Sequence, residues 1–202
     1  MLRSIKEVVK KYTPGLALGL QQVNGFVSAE YFKLTNKDRP SFACPICKYE
    51  GPFADYKNKD YPIQYTRCPR CDLYERHRLQ FLVMDELNGQ YDFSKLSILH
   101  FAPEPIFQKH FRDRFATYHT ADIEASGVDF EIDIRDMPFE DGAYDIVLAS
   151  HVLEHVSNDH LAFAEIKRIL KPSGFALLPV PVVSPYTIEY GEPNWQEFGH
   201  VR

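Results

Sequence analysis

Two cysteine pairs of identical spacing constrain this chain more than any other feature. All four cysteines of the sequence fall in "CPIC" (Cys44, Cys47) and "CPRC" (Cys68, Cys71), with twenty residues between the pairs. Two thiolates from each of two tight turns can meet at the corners of a tetrahedron around zinc. The alternatives are two disulfides or four free thiols. Disulfides need an oxidising compartment, and nothing in the sequence reads as an export signal. Four cysteine ligands leave no open position, so such a metal is structural and not catalytic. Residues 40–72 are therefore expected to form a small zinc ribbon. His77, just beyond it in "LYERHRLQ", is expected to be a surface or interface histidine, since no fifth ligand is needed.

A chain of 202 residues, 45% of them hydrophobic, can bury one ordinary core beside such a ribbon. No apolar run approaches the roughly 20 residues of a membrane span. "GLALGL" at residues 15–20 is too short and too interrupted by glycine for a secretory signal, so the expected location is cytoplasmic. Residues 1–39 read as a leader. Leu2, Ile5, Val8, Val9 and Tyr12 recur at helical spacing with lysines opposite, predicting a short amphipathic helix ended by Pro14 and Gly15. That helix either packs on the protein's own surface or touches a membrane surface through residues 2–12. Residues 73–95 read as a connecting helix with Leu79, Leu82, Val83 and Leu87 on its apolar side.

From residue 96 to 202 strand and helix patterns alternate, the mark of an α/β fold with a parallel sheet covered by helices. Five strands are expected: "LSILHFA", "TYHTADI" ending in Asp122, "VDFEIDI" ending in Asp133, "YDIVLASHVL" and "FALLPVPVV". "PEPIFQKHFRDRF" reads as a helix with Pro105 at its start, where a missing amide proton costs nothing. "NDHLAFAEIKRILKPSG" reads as a helix capped by Asn158 or Asp159 and stopped by Lys171, Pro172 and Gly174.

Ligands of such sheets sit beyond the carboxyl ends of the strands, where the strand order reverses. The turn after the first strand lies there, but it lacks the expected glycines: Ala102, Pro103, Glu104 and Pro105 occupy it. Ala102 is the next smallest choice, and the prolines fix φ and favour a helix start. An acid ending a second strand, as Asp122 does, is well placed to accept from both hydroxyls of a ribose. Each of these residues also has an ordinary role, Asp122 in a turn and Glu104 as an acid complementing a helix dipole.

The run "DIRDMPFEDGAYDIVLASHVLEHVSNDHLAFAEIKRILKPSGFALLPVP" resembles the central half of class I S-adenosylmethionine-dependent methyltransferases. "CPRCDLYERHRL" ahead of it is similar to a subset with an N-terminal zinc ribbon, in which an A-P-E sequence replaces the glycine-rich turn. The resemblance implies a Rossmann-like sheet with S-adenosylmethionine as cofactor. It implies that Ala102 and Glu104 line the methionine end and Asp122 holds the ribose diol. Asp133 and the amide of Ile134 would meet the adenine edge, and Ser150 would border the cofactor. His100 stands where the family usually has an acid. His151 and His155 are the candidate catalytic bases, and Trp195, His200 and Arg202 could line the acceptor pocket.

Three functional classes follow. The first is an enzyme that methylates a small molecule or a glycan or lipid-linked acceptor. The second is an RNA methyltransferase or RNA-binding module that grips through its ribbon, and the third is a non-catalytic relative kept for interaction. Between Arg39 and Arg78 eight basic residues stand against five acidic ones, while the whole chain carries −5. That local excess is small for a phosphate-tracking surface, so nucleic acid is not the expected partner. The family's sheet has seven strands, and the sequence stops soon after the fifth. The expectation is a C-terminally incomplete domain whose fifth-strand edge invites self-association.

Overall fold

The computed structural model describes residues 14–57, 62–124 and 127–181. The amphipathic segment at residues 2–12, the tail residues Trp195, His200 and Arg202, and the end of the chain lie outside the described residues. The chain divides into two compact units, residues 1–90 and 91–202. Among the described residues no helix is long and apolar enough to cross a membrane.

The first unit opens with helix α1 (Pro14–Thr35). Pro14 is its first residue, in keeping with the tolerance of proline at a first helical position. Glycines at 15, 19 and 25 hid this helix from a propensity reading. Gly25 has a packing reason: a Cβ there would lie 2.3 Å from the carbonyl oxygen of Arg70. Ala29, one turn on, is buried, so small residues let α1 approach the cysteine-bearing segment.

That segment is two antiparallel hairpins. Strand β1 (Ser41–Ala43) pairs with β2 (Glu50–Pro52), and β3 (Ala54–Lys57) with β4 (Pro62–Arg67). Helix α2 follows (Glu75–Tyr91). Its buried residues are His77, Gln80, Phe81 and Met84, whereas Leu79, Leu82 and Val83 are exposed. The expected apolar side is thus turned outward. His77 is also not a surface residue. It is 5% exposed, and its Nδ1 accepts from the Tyr74 amide at 3.0 Å, satisfying one of the donors a helix start leaves open.

The second unit is one parallel sheet of five strands: β5 (Ser97–Phe101), β6 (Thr117–Asp122), β7 (Phe130–Glu131), β8 (Tyr144–Ala149) and β9 (Leu170–Leu177). Their order is β7-β6-β5-β8-β9, so the chain reverses direction across the sheet at the β5–β8 junction. Ile98 aligns with Ile146 and Phe101 with Ala149 there. Both strands are buried on both faces, hence their near-continuous apolar runs. One face carries Leu99, Phe101, Val147 and Ala149 against Ala162, Ile166 and Ile169 of α4 (Asp159–Ile169). α3 (Pro105–Phe111) supplies Phe107 and Phe111, whose rings stack at 5.5 Å.

Details at α4 depart from expectation. Asn158 takes the N-cap position with left-handed backbone, but its side chain makes no capping bond. The "KPSG" stretch does not terminate the helix; α4 ends at Ile169 and β9 begins at Leu170. Register then slips between Tyr144↔Leu170 and Ile146↔Phe175, so "KPSG" bulges within the strand. Gly174 sits where a Cβ would approach the Asp145 carbonyl oxygen to 2.7 Å.

Candidate active site

A cleft of about 240 Å³ opens at the carboxyl end of the sheet, at the β5–β8 reversal where parallel sheets bind ligands. Its floor is Phe101 and Ala102. One wall carries Asp122 and Ile123, then Ile132, Asp133, Ile134 and Arg135. The opposite wall is the segment after β8, with His151, Val152, His155, Val156 and Ser157. The lining is mainly apolar with a few converging polar groups, the usual character of a small-molecule site.

The glycine-free turn makes its sharp bend with alanine. Ala102 has φ +46°, in the left-handed region, and its amide donates to the Ala121 carbonyl at 2.8 Å. The bond ties the turn to β6 just before Asp122. Asp122 in turn accepts through Oδ1 from the Glu124 amide at 3.0 Å. It combines the turn role and the cleft position that the sequence left as alternatives.

Asp133 is held more firmly. Arg135 donates to it through Nε at 3.0 Å to Oδ1, through Nη2 at 2.6 Å to Oδ2, and through its backbone amide at 2.9 Å. The Arg135 side chain beside it holds the Asp133 carboxyl below the usual carboxylate range. Across the cleft, His151 has φ +56°, and its amide donates to the Pro179 carbonyl at 2.9 Å. Its Nδ1 lies 3.0 Å from Glu154 Oε1. A carboxylate beside Nδ1 keeps the proton on that nitrogen and leaves Nε2 as the acceptor.

Three expected cofactor residues do not line this cleft. His100 is fully buried among aromatic rings on the other face of β5; its Nδ1 is 2.9 Å from the Tyr118 hydroxyl. Burial pushes its pKa down to about 4. The alternation of side chains along a strand explains the placement: Phe101, its neighbour, takes the cleft side. Glu104 stands at the N-cap position of α3 but makes no side-chain capping bond, and Ser150 is half-buried in the turn after β8. Conversely, Arg135 and Ser157 were not foreseen, nor were the apolar Ile123, Ile132, Val152 and Val156. The "DIR" run could have signalled Arg135, since an arginine two residues past a site aspartate is positioned to pair with it.

The loop that carries Asp133 is pinned from behind. Glu165 accepts from the Met137 amide at 2.9 Å and from Arg168 at 2.7 Å, while Arg168 also donates to the carbonyls of Met137 and Phe139. These bonds account for the glutamate and arginine in "EIKRIL": they fix the "DMPF" stretch against α4.

In the first unit the four cysteine sulfurs lie within 4.8 Å of one another. Cys44 Sγ is 3.8 Å from Cys71 Sγ, and Cys47 Sγ is 3.6 Å from Cys68 Sγ. The two pairs sit in matching turns. The amide of Lys48 donates to the Cys44 carbonyl and that of Asp72 to the Cys68 carbonyl, each at 2.9 Å. Lys48 and Asp72 both have left-handed backbone, φ +59° and +63°. Hydrogen bonds from Cys47, Cys68 and Cys71 drive the Cys44 thiol strongly down.

The family model described as "Methyltransferase domain" matches residues 100–178. The matched stretch runs from the last two residues of β5 through β9 and holds every residue that lines the cleft. The chain is 34% identical over 95 residues to a polyketide synthase-nonribosomal peptide synthetase, pyiS, of Pyricularia grisea, covering 47% of this chain and 2% of that protein. It is 38% identical over 58 residues to an uncharacterized 37.1 kDa protein in transposon TN4556 of Streptomyces fradiae, covering 29% of this chain and 17% of that one. The chain therefore spans only a small part of the curated relatives it matches. Among solved structures, the trans-methyltransferase CalH in complex with SAH is similar at 24% identity and a TM-score of 0.38, over 47% of this chain and 34% of that one.

Proposed function

We propose that the protein transfers a methyl group from S-adenosylmethionine to a hydroxyl or amine of a small-molecule, glycan or lipid-linked acceptor. The observation that carries this reading is the gathering of Ala102, Asp122, Asp133, Ile134, His151 and His155 around one cleft at the strand-order reversal of a methyltransferase domain. The donor set fits the cofactor. Asp122 offers a carboxylate for a diol, the Ile134 region offers an apolar wall for a base, and the turn at Ala102 brings backbone close to the ligand. When bound, S-adenosylmethionine supplies an electrophilic methyl on a sulfonium.

The residues then have two tasks. The cleft walls align donor and acceptor, which for an in-line displacement is the larger part of catalysis. His151, with Nδ1 against Glu154, keeps Nε2 as a base for the acceptor's proton; His155 is the second candidate on the same wall. Calorimetry with S-adenosylhomocysteine tests the reading directly. Binding is expected, and transfer of labelled methyl to glycan or small-molecule fractions, more than to RNA, is expected with it. A protein that binds neither S-adenosylmethionine nor its demethylated product would overturn the assignment.

The cysteine cluster we assign to a structural zinc. Four ligands at about 2.3 Å from a tetrahedral centre stand about 3.8 Å apart, and the two short sulfur separations, 3.8 and 3.6 Å, agree with that.

A further inference from the structure

Arg135 touches both walls of the cleft. On one side its Nε and Nη2 hold the two oxygens of Asp133. On the other its Nη1 donates to Ser157 Oγ at 2.6 Å and to the Ser157 carbonyl at 3.2 Å. Ser157 closes the segment that begins at His151 and carries His155. The far end of that segment is fastened separately, through the His151 amide and Pro179.

We propose that Arg135 is a positioning residue that straps the histidine-bearing segment 151–157 to the Asp133 wall, and so sets the distance between the cofactor half of the cleft and the base. The inference rests on the methyl-transfer reading of the cleft. Arginine is specified by geometry. A planar fork with three nitrogens grips a carboxylate on one edge and a hydroxyl and carbonyl on the other. Lysine, with one ammonium on a flexible stem, cannot hold both walls at once. The strap also gives Asp133 a role apart from base recognition, since both its oxygens anchor Arg135.

Two variants test it, Ser157→Ala, which removes the shorter of the two bonds on one arm and leaves that to the Ser157 carbonyl, and Arg135→Lys, which removes the fork. Amide exchange in the ligand-free protein is the first readout and does not depend on any activity. Exchange across 151–157 is expected to speed up in both variants, by roughly tenfold in Arg135→Lys, while amides of β8 and α4 hold their rates. Kinetics with S-adenosylmethionine is the second. Loss is expected in kcat, about tenfold or more, with the cofactor KM shifting far less. Unchanged exchange over 151–157 in Arg135→Lys, or in Arg135→Gln should the lysine variant fail to fold, overturns the strap. A loss confined to KM overturns it too. Failure of wild-type protein to bind S-adenosylhomocysteine would instead remove the functional reading and leave the exchange result standing.

Discussion

Ala102 and His151 both hold left-handed backbone, φ +46° and +56°, at the carboxyl ends of the neighbouring strands β5 and β8. The two bends throw the chain away from the sheet on either side of the strand-order reversal and leave the cleft between them. Histidine enters this region more readily than most residues. Alanine pays about 1–2 kcal/mol to be there.

Ala102→Gly should therefore stabilise the protein, by about 0.5–1 kcal/mol once the extra freedom glycine gives the unfolded chain is counted. Ala102→Val should destabilise it by more than about 1 kcal/mol, because a β-branched residue is a true outlier at this φ. Urea midpoints at unchanged m-value measure both.

Asp122→Ala should weaken S-adenosylhomocysteine binding by about 1.5–3 kcal/mol, the range for hydrogen bonds to a charged group. Calorimetry reads that as roughly a ten- to hundredfold rise in Kd. An unchanged Kd would remove Asp122 from the ribose role.

Purified protein should carry about one zinc per chain, and Cys44→Ser should lower that content sharply. Chelation should unfold the ribbon, because binding energy at such sites is folding energy. Elemental analysis paired with heteronuclear NMR of residues 41–73 checks both outcomes. Full zinc loss with an unaltered ribbon spectrum would show that the hairpins need no metal.

His100 gives a pH dependence. Its folded value, about 4, lies below the ordinary 6.5 because burial disfavours its charged form. Above pH 6.5 neither state binds the proton, so no stability is lost there. As pH falls from 6.5 towards 4 the unfolded chain takes up a proton that the folded protein refuses, and stability declines. Chemical denaturation across that window should show the decline, with a smaller slope in His100→Gln.

Glu165 acts at lower pH. Arg168 holds its carboxyl down to about 2, from an ordinary 4.5. The interaction is fully present above pH 4.5 and is lost as pH falls through 2. Glu165→Gln should flatten the acid limb of the stability curve between those values. The effect will be modest, since the pair is partly exposed and solvent screens it.

The parallel sheet was legible because its central strands β5 and β8 are buried on both faces and read as apolar runs, and because β6 and β8 are closed by Asp122 and by Ser150-His151. The cleft followed from topology, which gathers Ala102, Asp122, Asp133, Ile134, His151 and His155 from four separate stretches. What escaped has physical causes. Helix α1 was hidden by glycines, of which Gly25 is there for close packing. The apolar stripe Leu79-Leu82-Val83 was visible, but spacing gives a stripe without saying which way it faces. His100 falls on the wrong side of β5 because one residue of strand flips a side chain to the other face. Arg135 was missed since its worth lies in reaching Ser157, 22 residues away.

Asp145 receives Lys171 Nζ at 2.7 Å and the amide and hydroxyl of Ser97, each at 2.8 Å, all on one oxygen. These partners lie 26 and 48 residues from it along the chain. The tie consequently imposes an order of assembly. During synthesis β5 and β6 can meet early, but the centre of the sheet has no second neighbour until β8 emerges. It is not locked at that end until Lys171 follows. Contacts this distant in sequence close slowly, so the growing chain leaves one backbone edge of β5 unpaired for the time the ribosome needs to make the intervening segment.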